Sequence, residues 1–588
     1  MRSYAGFGAV VVCTIAAACS SGTTRFAPPD GGASDAATLR DAGQTLGDGA
    51  GPQSGYCSGD LRSIVDANGA IIETCPNDQG CANGQCVAAC DAATASKGNI
   101  GCTFVTSTPS FYPAIKPPCY AVFIANAWTR DANLTVSRGG ASYDVTKFGR
   151  IADTTNVKLW QPVPTTGLPP GKVAVLFMSH DPASKHPVGA DLTCPFAPAV
   201  TASTAVHSGG AAATGKGTAF TIRSDFPVSA YDILPFGGAE SYLPSAQLLM
   251  PVSALGTNFV VAQPPASNNG ASGAQEAHWL QIIAASDNTE VSIVPVAPLP
   301  SGTGVSAAPA NMVSKYVLSA GEFIQWQNTT DISGSVVSST LPIAVAGGQT
   351  YLHWDTKTSN TGAGESAHQL VMPVSALGSE YAIAPIKSRL TSGEESMSYR
   401  IVGAVDGTTL TFDPPINGAP TQTLRGNVGL FETTGAFTVK SQDDQHPFLI
   451  AQLLSGAVSS EGDEEYVNVI PPAQFLNHYV FFTDPSYSNT TLSIVRVKGK
   501  NGFADVEIGC SGPVTGWKSA GGSYEYTTTQ LVSAGKGVGS CANGPQTAKS
   551  DAPFGIVVWG TSRYASYGYP AGGNAAGINQ VVVPAAPR

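Results

Sequence analysis

The chain is 588 residues long and only 12% of them are charged, about half the share usual in a soluble domain. With a net charge of −11 it lacks the clustered basic face that a nucleic-acid partner requires, and no long stretch carries the 3.6-residue apolar period of a helical protein. The 66 glycines and 42 prolines punctuate short β-branched runs, which predicts an all-β chain with neutral polar surfaces.

Residues 1–19 read as an export signal. Arg2 precedes an apolar stretch, residues 5–18, that is too short to span a membrane as a stable helix. The stretch ends IAAAC at residues 15–19 and looks like a bacterial lipobox. Cys19 is therefore the expected site of lipidation and the expected N-terminus after cleavage. The serine that follows it implies the outer membrane, and several acyl chains exceed the two signals needed for a stable anchor. Residues 20–56 form a tether of Gly, Ala, Ser, Asp and Pro that cannot bury enough apolar area to fold. As a flexible coil it would span on the order of 35 Å.

Apart from Cys13 and Cys19 the chain holds ten cysteines, and in an exported protein these are expected to be oxidised. Cys57, Cys75, Cys81, Cys86, Cys90 and Cys102 cluster in and beside a module over residues 57–99 that is too small for a core of its own. Bridges are expected to hold it, with the connectivity open. Zinc at Cys81 and Cys86 is the alternative, disfavoured by an oxidising compartment and the lack of an adjacent histidine. Cys119 with Cys194, and Cys510 with Cys541, are expected to pair within one unit each.

Residues 100–588 repeat themselves. The block LMPVSALGTNFVVA at 249–262 returns as VMPVSALGSEYAIA at 371–384, and a weaker copy, IPPAQFLNHYVFF, stands at 470–482. Each copy leads into an apolar run, a turn and a second run. Asp406-Gly407 and Asp287-Asn288 mark these turns as type I′ hairpins, in which both central residues need positive φ. A second marker is a proline before a short apolar run, at Pro227, Pro342, Pro447 and Pro553, where it is expected to open a strand at no cost in ladder bonds. The markers together define four internal repeats of about 100–120 residues. The joining block is split at the ends of the region, with its second half at 100–105 and its first half at 580–584. If the halves meet, the units form a closed propeller-like ring. The alternative is a tandem string of β-sandwich modules. The first unit also carries an insertion, residues 165–218, of the kind that is either a functional loop or decoration.

No catalytic or metal constellation stands out. Residues 210–217, GAAATGKG, approach a P-loop but put Gly217 where magnesium needs a hydroxyl, and they lead into a strand. Asp66-Ala-Asn-Gly69 starts like a calcium loop and reads better as a turn. His180 and His186 flank a loop in the insertion. The acidic pairs at Asp443-Asp444 and within 461–465 could hold calcium but are expected to be solvated loops. Trp128 and Trp354-Asp355 could stack on sugars, and buried sheet packing is the commoner fate of such residues. No cofactor is implied.

The order of motifs is recognisable. SDFPVSA at 224–230, YLPSAQLLMP at 242–251, LGTNFVVA at 255–262 and then an Ala-x-Asp-Asn-Thr-x-Val pair together resemble the IgGFc-binding protein N-terminal domain family. The resemblance covers about residues 100–588 and implies a secreted or surface binding module with no defined catalytic residues. With the lipobox it suggests a bacterial surface lipoprotein that recognises a protein or glycan ligand and meets the membrane through its lipid alone. A structural cell-envelope protein is the first alternative. The second is an enzyme acting on extracellular polysaccharide, which would need two carboxylates converging about 5–9 Å apart in an open cleft.

Overall fold

The computed structural model describes residues 55–586, apart from 68, 154, 187–188, 209–210, 242, 269–275 and 360–363. All of them belong to one compact unit, Ala42–Arg588; Cys19, its lipobox and most of the tether lie outside the described residues.

Strands dominate, and one long strand organises each sheet group. Phe220–Leu234 pairs through its first half with Ile100–Thr106 and Leu134–Arg138, and through its second half with Tyr120–Ala125 and Ser245–Leu249. Val336–Leu352 repeats the arrangement with Gly256–Val260 and Thr289–Val294, then with His278–Ala284 and Glu365–Leu370. In the next group the long strand is broken into Phe437–Lys440 and Phe448–Leu454, whose partners fall in the same order. Gly544–Ser562 organises the last group, between Leu476–Thr483, Asn489–Gly499 and Ala565–Pro570.

Three of the four marker prolines do not open a strand, contrary to the expectation from sequence, whereas Pro447 directly precedes Phe448–Leu454. Pro227, Pro342 and Pro553 sit in the middle of the long strands, where the pairing register shifts. Pro447 fills the gap between Phe437–Lys440 and Phe448–Leu454. A residue without an N–H suits the point where a strand leaves one sheet for the next, because no ladder bond is wanted there. The same geometry corrects the expected hairpins. His278–Ala284 and Thr289–Val294 pair with successive halves of Val336–Leu352 and not with each other, so the turn between them is a corner and not a hairpin turn. Only its second central residue is left-handed: Asn288 has φ 54° and Gly407, at the equivalent corner, has φ 75°.

The cysteine-rich module is tied by Cys57–Cys81 and Cys75–Cys86, and Cys90–Cys102 joins its helix, Ala89–Ser96, to the first strand of the repeat region. The boundary read at residue 99 is thus bridged covalently. Asp66 accepts a bond from the Ala70 N–H and Gly69 has φ 83°, so this segment is a turn. Cys119–Cys194 and Cys510–Cys541 close loops within the first and last groups.

One apolar core runs from Cys119 to Val583 and draws residues from every group, among them Phe177, Trp326, Leu453 and Phe481. Among the described residues after Pro570 there is no strand. The chain crosses the joining turns of other groups: Ala575 N–H donates to Lys97 O, Asn574 N–H to Gln474 O and Ile578 N–H to Ser375 O. The Asn579 amide donates to Val374 O and Leu377 O, and Val583 exchanges bonds with the Asn258 side chain. Residues 580–584 therefore do not complete a block with residues 100–105. The ends of the repeat region meet earlier, where residues 572–575 pass Lys97, Gly98 and Asn99.

Candidate functional site

The last strand of each group, Ser245–Leu249, Glu365–Leu370, Glu465–Asn468 and Ala565–Pro570, lies innermost. Each touches two of the others, so Ser245–Leu249 meets both Glu365–Leu370 and Ala565–Pro570. Their sequences are unusually polar for buried strands, and the polar groups bond to one another. Ser245 Oγ donates to Glu465 Oε1 at 3.1 Å and accepts from the His368 N–H at 3.0 Å. Gly568 N–H reaches Glu465 Oε2 at 3.1 Å, and Ser566 gives Glu365 its N–H and its hydroxyl. The Gln369 amide bridges Ala246 O and Gly568 O. His368 Nε2 lies 2.9 Å from Asp232 Oδ1, whose other oxygen accepts from Gln247 and Tyr120. Burial makes each such bond hard to lose, because an unpaired polar group there costs about 1–3 kcal/mol.

Four carboxyl groups gather here, and this corrects the reading of residues 461–465 as a solvated loop. Glu365, Asp463, Glu464 and Glu465 have no exposed surface. The run precedes Pro471 as Ser245–Met250 precedes Pro251, a register that could have revealed an inner strand. Burial raises all four carboxyls above their ordinary range, with neighbouring charge adding to the rise at Glu365 and Glu464. At Asp463 the backbone and side chain of the neighbouring Glu464 offset part of that rise. Burial and the Asp463 charge push Glu464 well above the usual range, which favours its protonated form beside Asp463. The Trp354 N–H holds the other side of Glu464 at 2.8 Å.

These groups bind protons in the folded state that the unfolded chain has released. Stability therefore falls as pH rises from the ordinary carboxylate range through the raised values. Thermal unfolding between about pH 5 and about pH 9 is expected to show a falling midpoint, and Glu464→Gln, which keeps a donor for Asp463 without titrating, to show a shallower fall. An equal slope in both proteins would contradict the assignment.

The remaining sequence candidates are dispersed. His180 Nδ1 accepts from the Cys194 N–H at 2.8 Å, which occupies it beside the disulfide. Asp443 pairs with His446 on the surface. Trp128 is buried against the cysteine-rich module with its N–H on Asn77 O, and Trp354 is buried with its N–H on Ser398 Oγ. Gly215–Thr218, the end of the P-loop-like segment, is a strand on the edge of Glu322–Asn328. Among the described residues no group of three or more His, Cys, Asp or Glu side chains is placed to hold a metal ion. An open cleft of about 320 Å³ lies between the turn at Arg138–Gly140, Thr218–Thr221 and Ala320–Glu322.

Two internal ion pairs escaped the sequence reading. Arg389 meets Glu395 at 2.5 Å with both side chains buried, and Arg400 reaches across to Asp331 and Gln263 O in the preceding group. Arg, Asp and Glu within otherwise polar stretches carry no signal of burial by themselves.

A model of the family described as IgGFc binding protein matches residues 245–560, more than half of the chain. The human IgGFc-binding protein is 23% identical over 356 residues, which are 59% of this chain and 6% of that protein. The chain thus spans a small fraction of the length of the curated relative it matches.

Proposed function

Since the chain belongs to the IgGFc-binding protein family, we propose that it is a surface-anchored lipoprotein that binds a protein ligand without chemistry, through the outer faces of a closed four-unit ring. The family match carries this reading, because that family is one of binding proteins. The ring is supported by the cycle of contacts among the four innermost strands, by a core that draws residues from all four groups and by the meeting of residues 97–99 with 572–575. A tandem string would have local cores like those of the first and third groups but none common to all four, and would leave the first and last modules apart. The carboxyls that a polysaccharide-acting enzyme would recruit are sealed among backbone donors and neighbouring side chains. Ligand contact then falls to the surface loops and strand edges, as is usual for scaffolds built from repeats. The anchor rests on Cys19 and the tether behind it.

One experiment tests binding and anchoring together. Bacteria with an outer membrane express the full chain or its Cys19→Ala form and meet a panel of labelled extracellular proteins, the Fc part of immunoglobulin G among them. Cells with the natural chain are expected to retain at least one protein. Cells with Cys19→Ala are expected to retain none, while the released protein still binds in solution. Retention of nothing by either form would refute the binding reading, and equal retention by both would refute the anchor.

A further inference from the structure

The strand at one equivalent position carries a further strand on its outer side in three of the sheet groups and, among the described residues, none in the third. In the first group, Gly149–Ile151 covers Val173–Ser179. In the second, Gly215–Thr218 from the insertion of the preceding unit runs antiparallel along Glu322–Asn328, with Gly217 opposite Phe323. In the last, Lys518–Gly521 and Lys536–Gly537 lie on Tyr524–Ser533. The equivalent strand of the third group, Val428–Thr433, pairs with Met397–Gly403 on its inner side. Among the described residues no strand pairs with its outer side. In an antiparallel ladder alternate residues turn their N–H and C=O away from the partner strand, so this edge presents a row of unmet donors and acceptors.

The side chains along it suit the same purpose. Val428 and Leu430, two residues apart and hence on one face, are 39% and 43% exposed, and nearby Leu424 is 52% exposed. The opposite face is closed: Phe431 is buried in the local core and Pro420 packs against Gly429. The Glu432 end is occupied by the Lys357 N–H and Ser396. What remains is a short apolar shelf beside an open ladder. That combination recognises an extended peptide, with backbone bonds supplying affinity and alternate side chains supplying specificity.

We propose that Val428–Thr433 is the docking edge for an extended segment of a partner polypeptide. The segment adds as an antiparallel strand and sets aliphatic side chains on Val428 and Leu430. The neighbouring group argues for this occupant, because there the same edge is filled by an extended antiparallel segment. The inference rests on the binding reading above and names where and how the protein ligand is held.

The probe is a phage-displayed library of linear twelve-residue peptides, selected on the full-length protein and on its Leu430→Lys form, with Val428→Lys as a second variant. Both substitutions fall at exposed positions, so unfolding midpoints are expected to match the natural protein. Selected peptides are expected to carry aliphatic residues at alternate positions and to lose at least tenfold in affinity on either variant. They are also expected to slow hydrogen exchange at amides of residues 428–431. Peptides that bind both variants equally, or protect amides elsewhere, would overturn the proposal. So would a dimer of the natural protein that Leu430→Lys separates, since the edge would then belong to a second copy. If Leu430→Lys cells still retain the panel protein that natural cells retain, the docking edge fails while the binding function stands.

Discussion

Replacing Arg389 by methionine is expected to destabilise the protein by about 3–5 kcal/mol, because it strands a buried carboxylate. Arg389 and Glu395 side chains are 2% and 1% exposed. The guanidinium contacts both Glu395 oxygens and also donates to Ser455 O, Gly456 O and Glu461 O. The last of these carbonyls belongs to the segment that delivers Asp463, Glu464 and Glu465 to the inner strands. Loss of the arginine therefore leaves one charge and several carbonyls without a partner in a medium that cannot solvate them. The double variant Arg389→Met with Glu395→Leu removes the stranded charge as well, and is expected to recover much of the loss. Denaturant unfolding of the three proteins measures both effects. A single variant within about 1 kcal/mol of the natural protein would show the pair to be solvated.

Deleting residues 578–588 is expected to lower the unfolding midpoint of the whole repeat region in one transition. The deleted segment supplies the Ile578 bond to Ser375, two Asn579 bonds to Val374 and Leu377, and the exchange between Val583 and Asn258. At about 1 kcal/mol for each hydrogen bond, with Asn579 and Val583 both buried, the loss amounts to several kcal/mol. These contacts fall on the second and third groups although the segment follows the fourth, so no group can loosen alone. Calorimetry showing an unchanged main transition with one early shoulder would favour independent modules instead.

Much of the architecture was legible because repetition is written in several markers at once. The LMPVSALG block, the corner residues and the mid-strand prolines each recur, and their common order exposes the unit without a single helix or strand having to be placed. Their roles were harder to read. A proline beside an apolar run looks the same whether it opens a strand or sits where one strand changes sheets, since local sequence does not contain the second sheet. Likewise Asp463, Glu464 and Glu465 resemble a surface run until their register against Pro471 is noticed, because burial of charge is decided by strands more than a hundred residues away, such as Ala565–Pro570. The bare edge at Val428–Thr433 had no local signal at all. It is defined by what the other three groups have and this one lacks.

The path of the final residues also bears on synthesis. Synthesis runs from the N- to the C-terminal side, so the segments around Asn258 and Ser375 are made long before residues 578–583, which tie them, arrive. Until then Val374 O and Leu377 O lack the Asn579 amide that meets both of them in the folded protein. A chain lacking residues 578–583 stays in that state permanently, and proteases that sample open segments are expected to cut it faster. Resistance to digestion thus depends on a segment far in sequence from the turns it protects.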